Sequence, residues 1–210
     1  MIALITGSTK GIGRAIAEKL AQHKYDLILI ARNVVDLEKT AKELSVYGTK
    51  VLYFQVDGSK SDEIQRFFNS SAQQFGKIDV LVNNLGMFLP DSIFNEPDEN
   101  FLLQQETNVN AAYYFSKYFG KQMAEANHGH IFNICSVASK NVAKNAGSYS
   151  VTKAAMLSLN NVLRAELAPS RVKVTAFLPG ATLTASWKDT ELPKEQFVLP
   201  EDIADLVYVI

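Results

Sequence analysis

The chain has one cysteine, one tryptophan, three histidines and six prolines among 210 residues. The single thiol, Cys135, excludes an internal disulfide framework and fits a reducing compartment. It closes an apolar run, where a buried thiol is expected rather than a nucleophile. So few histidines leave little for a metal centre. His128 and His130 flank Gly129, but no third ligand stands at a recognisable spacing, so a turn is expected there. Charge of one sign is missing too. The net charge of −1 provides no strong field for nucleic acid or an anionic membrane. Met1 to Ile5 is apolar for only five residues before Thr6 and Gly7, too short for a signal core or a membrane span. A cytoplasmic protein is expected. Internal repeats, low-complexity tracts and linkers are also lacking.

What is present is ordinary for a globular chain: 47% apolar and 20% charged residues. A length of 210 residues suits one α/β domain, 1–210, with a sizeable core. Short apolar runs at Ile2–Thr6, Asp26–Ala31, Lys50–Asp57, Ile78–Asn83, His130–Cys135 and Val172–Leu178 read as strands buried on both faces. Amphipathic segments at about 12–23, 34–46, 60–75, 99–126 and 148–168 read as helices between them. Ser59 followed by Asp62 suggests a helix start. Pro200-Glu201-Asp202 opens a last helix with proline and acids in its first turn. This alternation specifies a doubly wound parallel sheet with right-handed crossovers and helices on both faces. Segment 180–199 is the one long irregular stretch and reads as a substrate loop. It carries Trp187, placed equally well as a pocket cap or as packing. The chain stops inside the last helix, where a seventh strand would follow, so a C-terminal strand is expected to be missing.

Thr6-Gly7-Ser8-Thr9-Lys10-Gly11-Ile12-Gly13 follows the first strand and opens the first helix. Glycines there permit a tight turn and close approach of the backbone to a pyrophosphate. The helix N-terminus adds free N–H groups and a positive dipole end. An acid is expected after the second strand where a ribose 2′-hydroxyl is bound. This chain has Arg32 instead, with Lys10 as a second cation, which favours the 2′-phosphate of NADP.

Tyr149 and Lys153 share one helix face at i and i+4. An ammonium beside a phenol is expected to lower a pKa that starts near ~10. Such a phenol can give a proton to a carbonyl oxygen or take one from an alcohol. Ser136, thirteen residues upstream, can hydrogen-bond the same oxygen. With 8 tyrosines and 16 lysines, roughly 0.6 Tyr-x-x-x-Lys matches arise by chance, so the pair alone is a weak signal. A second match, Tyr113–Lys117, has Asn100 at the corresponding upstream place and reads as ordinary helix surface. Tyr113, Tyr114, Phe115, Tyr118 and Phe119 crowd that helix without a basic groove, so core and subunit contact are expected there rather than base stacking.

Together these residues resemble the short-chain dehydrogenase/reductase family in its single-domain branch, over nearly the whole chain. Gly7, Gly11 and Gly13, with Ser8 and Ile12 between them, match the glycine motif. Asp57 matches an adenine contact, and Asn83-Asn84-Leu85-Gly86 matches Asn-Asn-Ala-Gly, with leucine in place of alanine. Asn108, Ser136, Tyr149 and Lys153 match the catalytic set, and Pro179, Gly180 and Thr184 match a nicotinamide-contacting segment. The resemblance implies a Rossmann-like fold, NADP(H) as cofactor, and hydride transfer between NADPH and a carbonyl or alcohol. It implies that Lys153 binds the nicotinamide ribose and that Asn108 anchors a water leading to the lysine. A 3-oxoacyl-[acyl-carrier-protein] reductase-like role is the leading expectation. Pterin or small-ketone reduction and a non-catalytic NADP(H)-binding regulator are the alternatives. A homodimer or homotetramer is implied, with no metal, nucleic acid or membrane partner.

Overall fold

A computed structural model describes residues 1–71, 74–142, 144–184 and 193–210. The six apolar runs form one parallel sheet: β1 (Ile2–Thr6), β2 (Asp26–Ala31), β3 (Val51–Gln55), β4 (Val80–Asn83), β5 (His130–Ile134) and β6 (Lys173–Phe177), in the spatial order 3-2-1-4-5-6. The order reverses between β1 and β4, where Ala3 pairs with Val80 and Ile5 with Val82. A doubly wound sheet binds its ligands in the crevice at such a reversal. The outer strand β3 is shorter than its apolar run, and its side chains are only partly covered, because an edge strand has a neighbour on one side alone.

Strand side chains alternate between two cores, as a period of two requires. Ala3, Ile5, Leu27, Leu29, Val80 and Val82 face α1 (Gly11–Gln22), α2 (Val34–Ser45) and α7 (Pro200–Val209). Leu4, Ile28, Ile30 and Leu81 face the opposite way, onto α3 (Ser61–Ser71) and α5 (Ala111–Ala126). Phe67, Phe68, Phe115 and Phe119 pack there, Phe68 against Phe115 at 5.3 Å between centroids. The aromatic crowd on α5 is therefore mostly core, with Tyr113 exposed.

Two local readings differ. Helix α3 begins at Ser61, because Ser59 donates its hydroxyl to Asp57 at 2.8 Å instead of capping the helix. The run 99–126 is not one α-helix. Helix α4 (Asp98–Gln105) passes through a π-helical turn, Glu106–Asn110, before α5. Such single turns are short and carry no composition signature of their own, which hides them in a sequence. Helix α6 (Gly147–Leu167) follows β5 and lies over its carboxyl end. The described parts of 180–199 are tied at their base, where Leu183 donates to Val198 and Val198 to Ala181, both at 2.9 Å. Trp187 lies outside the described residues. Among the described residues, no helix is long and apolar enough to cross a membrane.

Candidate active site

The glycine loop turns at Gly7 and Gly11, both with positive φ (66° and 53°). A Cβ on Gly13 would lie 2.3 Å from the Gly7 carbonyl and 2.4 Å from Asn84 Nδ2, so only glycine lets α1 rest on the loop. Asn84 staples the arrangement by donating to the Thr6 and Gly7 carbonyls, both at 3.0 Å. Thr6 Oγ1 in turn accepts from the Asn84 and Leu85 amides. The first turn of α1 has no side-chain cap, which leaves its N–H groups without a capping partner. Ser8 is buried and donates to the Ile30 carbonyl at 3.4 Å; Ile12 is half-buried beside it. Leu85, bulkier than alanine, does not crowd the loop. Its side chain packs into the α3–α5 core over Gly58, where an added Cβ would lie 2.6 Å from Leu85 Cδ1.

Arg32 is exposed at the end of β2. Lys10, also exposed, is held by Asp36 at 2.8 Å. Burial pushes the Asp57 carboxyl up, but hydrogen bonds from Ser59 and the charges of Lys60 and Arg32 outweigh this and hold it below its usual value. On the far side of the crevice, Pro179 accepts from the Val137 amide at 3.0 Å, and Gly180 borders open space. The Thr184 methyl lies over Gly11, 3.0 Å from where a Cβ would stand.

Ser136 stands at the carboxyl end of β5, and Tyr149 and Lys153 on the first turns of α6. Lys153 is 4% exposed. Its Nζ donates to the Ile134 carbonyl at 2.9 Å and lies 5.7 Å from the Tyr149 ring centroid. Gly86 leaves room on the other side, since a Cβ there would be 3.4 Å from Lys153 Nζ. Burial pulls the Lys153 pKa down to about 8, opposed by Cys135. Cys135 is itself pushed up to about 11 by burial, as a structural thiol should be. The phenol reverses the sequence expectation. Burial raises the Tyr149 pKa, a hydrogen bond with Ser136 lowers it, and Cys135 raises it. Removing the ring from water disfavours the phenolate, and Lys153 directs its proton to a backbone carbonyl instead of the phenol.

Asn108 sits in the π-helical turn, fully buried. Where the resemblance implies a water-mediated link to the lysine, the structure shows its amide bridging two segments. It accepts from the Met87 amide (2.7 Å) and donates to the Met87 carbonyl (3.0 Å) and to Thr152 Oγ1 (3.0 Å). Thr152 then donates to the Tyr149 carbonyl at 2.9 Å, which ties the turn to the helix that bears the tyrosine. Three neighbours went unnoticed in the sequence: Thr152, Gln104 and Phe88. Gln104, one helical turn before Asn108, accepts from the Leu89 amide at 3.2 Å. Phe88 meets the Tyr149 ring edge-on, with centroids 4.9 Å apart. The one signal for Gln104 was its i−4 position relative to Asn108; Phe88 had none beyond following Gly86.

Residues 1–195 match the family model for short chain dehydrogenase. An uncharacterized oxidoreductase of Staphylococcus aureus is 32% identical over 209 residues, covering 98% of this chain and 88% of the relative. Among solved structures, an alcohol dehydrogenase from Thermococcus sibiricus, complexed with 5-hydroxy-NADP, superposes with a TM-score of 0.91 at 32% identity, covering 99% of this chain and 88% of that one. A short-chain dehydrogenase from Sphingobium yanoikuyae in complex with NADPH gives 0.91 at 29% identity, covering 99% and 83%.

Proposed function

The chain belongs to the short chain dehydrogenase family, and on that premise we propose that it is an NADPH-dependent carbonyl reductase with Tyr149 as its proton donor. The observation that carries this reading is the cluster at the end of β5: a half-buried phenol whose pKa burial raises, the buried Ser136 hydroxyl beside it, and the buried Lys153 amine behind its ring. The two cofactor-bound neighbours support NADP(H), and the cradle here fits it. Gly7, Gly11 and Gly13, with Ser8 and Ile12, would bring backbone N–H groups to the pyrophosphate. Lys10 and Arg32 would take the 2′-phosphate. The exposed Lys10–Asp36 pair, worth no more than about 1 kcal/mol, does not hold Lys10 back. Asp57 would meet the adenine, Asn84 and Gly86 would floor the crevice, and Pro179, Gly180 and Thr184 would border the nicotinamide.

When bound, the nicotinamide nucleotide supplies the hydride. Ser136 hydrogen-bonds the substrate carbonyl oxygen, and Tyr149 gives that oxygen its proton. Lys153 holds the ribose hydroxyls and, while charged, stabilises the phenolate left behind. Asn108 acts through Thr152 and Met87 to fix both partners. The tyrosine starts as a phenol, the protonation state that carbonyl reduction draws on. Of the carbonyl classes implied by the resemblance (3-oxoacyl thioester, pterin, small ketone), the Phe88 ring beside Tyr149 favours a ketone. The same reading places the protein in the cytoplasm as a homodimer or homotetramer. Exposed Leu102, Leu103 and Tyr113 on α4 and α5 support the oligomer.

The test is NADPH oxidation over acyl thioesters, pterins and ketones, with Tyr149→Phe as control. Turnover lost in the variant supports the assignment. Tight NADPH binding with no turnover across the panel would replace it with a cofactor-binding regulator. Arg32→Asp should shift preference toward NADH; an unchanged preference removes Arg32 from the 2′-phosphate site.

A further inference from the structure

Phe88 is 40% exposed, yet its position is among the most closely fixed around the site. The residue before it is held at both backbone groups by Asn108, through Met87 N at 2.7 Å and Met87 O at 3.0 Å. The residue after it is held by Gln104 through Leu89 N at 3.2 Å. Asn108 and Gln104 are both fully buried, one helical turn apart on the segment that carries the π-helical turn. Two buried amides thus clamp the chain on either side of one aromatic residue. The clamp directs its ring edge-on against the proton-donating phenol, at 4.9 Å and 64°.

Gln104 contributes one described side-chain hydrogen bond, accepted from Leu89 N. Its Nε2 has no partner among the described residues, and a buried unpaired donor costs roughly 1–3 kcal/mol. A leucine would remove that donor, and with it the acceptor that the Leu89 amide uses. What the glutamine does achieve is the fixed position of residue 89 and, with Asn108, of the ring between. The exposed part of Phe88 offers neither charge nor hydrogen bond. Val137, the residue after Ser136, is 46% exposed and offers none either. A carbonyl carbon placed between Ser136 and Tyr149 therefore meets an apolar aromatic wall on the tyrosine side.

We infer that Phe88, positioned by Gln104 and Asn108, is the wall of a subsite for the larger substituent of the substrate, and that this substituent is aromatic or branched and apolar. The substrate class is then an aryl or bulky-alkyl ketone, in preference to an acyl thioester or an unhindered small ketone. An aryl ring set against Phe88 gains edge or offset stacking together with its buried area. The inference rests on the proposed role of Tyr149, and the experiment keeps the two apart.

Steady-state reduction of acetophenone, acetone and acetoacetyl-CoA by the full chain with NADPH should favour acetophenone in kcat/KM, by ~100-fold over acetone, within the range apolar pockets provide. Phe88→Ala should cut the acetophenone/acetone ratio by ~10-fold or more, chiefly through the KM for acetophenone. Gln104→Leu should lower the same ratio while the melting temperature holds or rises, a combination that a merely structural role would not produce. A ratio unmoved by Phe88→Ala, or a wild-type preference for acetone or acetoacetyl-CoA, overturns the subsite. Tyr149→Phe should abolish all three reactions. If it does not, the proton-donor reading fails, whatever the ratios show. If the unaltered protein reduces none of the three, the subsite inference is overturned, and no turnover on the wider carbonyl panel removes the reductase reading as well.

Discussion

Two Tyr-x-x-x-Lys pairs lie in this chain, and their ring-to-amine separations are nearly equal. Lys117 Nζ is 5.8 Å from the Tyr113 ring centroid, and Lys153 Nζ is 5.7 Å from that of Tyr149. Both pairs ride on long helices of the same sheet face, α5 and α6. The surroundings differ. Tyr113 is 46% exposed, and Lys117 is exposed with it. Lys153 is buried, anchored to the Ile134 carbonyl, with Ser136 on the phenol and Phe88 across its ring. Helical spacing creates the contact in both cases. Burial, a strand end that delivers a serine, and a clamped loop are what support the proposal of proton transfer at one of them and not at the other. Desolvation shifts the half-buried phenol and the buried lysine toward their neutral forms, so the proposed proton donor starts as a phenol and the lysine beside it lies close to losing its charge.

The largest expected effect separates the two tyrosines. Tyr149→Phe should lower ketone reduction by ~10³-fold, in the range for a lost general acid, and Tyr113→Phe should leave it within about twofold. Equal losses in NADPH-oxidation assays would erase the distinction. The lysines come next. Lys153→Met should cost ~10²-fold in turnover but raise stability by on the order of 2 kcal/mol, because it removes a buried ammonium. Lys117→Met should do neither. Chemical denaturation alongside kinetics checks both halves, and a destabilised Lys153→Met protein would show that the amine is a net structural support.

The pH dependence sharpens the comparison further. Reduction needs the phenol protonated and Lys153 charged. With the phenol raised and Lys153 at about 8, the rate should hold through neutrality and fall up to about tenfold per unit above pH ~8. Lys153→Met should remove that fall. The stability sign follows from the same value. The folded pKa is depressed to about 8 from 10.5, so the unfolded chain binds more protons between those limits. Stability from this group therefore rises with pH across that window and is constant below it. The smallest effect concerns a pair near the site that does no chemistry. Gly58→Ala should destabilise by about 1 kcal/mol through its encounter with Leu85 and leave kcat unchanged, and Leu85→Ala in the same chain should relieve the added Cβ. A kcat change without a stability change would make this pair part of the machinery.

Much of the fold was legible because burial writes itself into residue type. β1 and β2, apolar nearly throughout, have the same ends in sequence and structure, whereas the edge strand β3 is trimmed because its flanking residues lack a second neighbour. The π-helical turn at Glu106–Asn110 was hidden, since a single wider turn between two α-helices has no residue signature of its own. At the site, residues with fixed spacing were legible: the glycine loop, Ser136, Tyr149 and Lys153. Residues that act through the folded chain were not. Gln104 and Thr152 are defined by the loops they hold, and Phe88 by a ring it meets 61 positions later. The direction of the Tyr149 shift was misread for the same reason: spacing reveals the ammonium, but only the fold reveals the desolvation and the carbonyl that engages it.

The claim that environment and not spacing makes this pair reactive is tested most directly by titrating Lys153 itself. Heteronuclear NMR of the lysine side chain, assigned by Lys153→Met, should give a midpoint of about 8. A midpoint near the ordinary 10.5 would contradict the account, because Lys153 would then feel no more of the protein interior than a surface residue does.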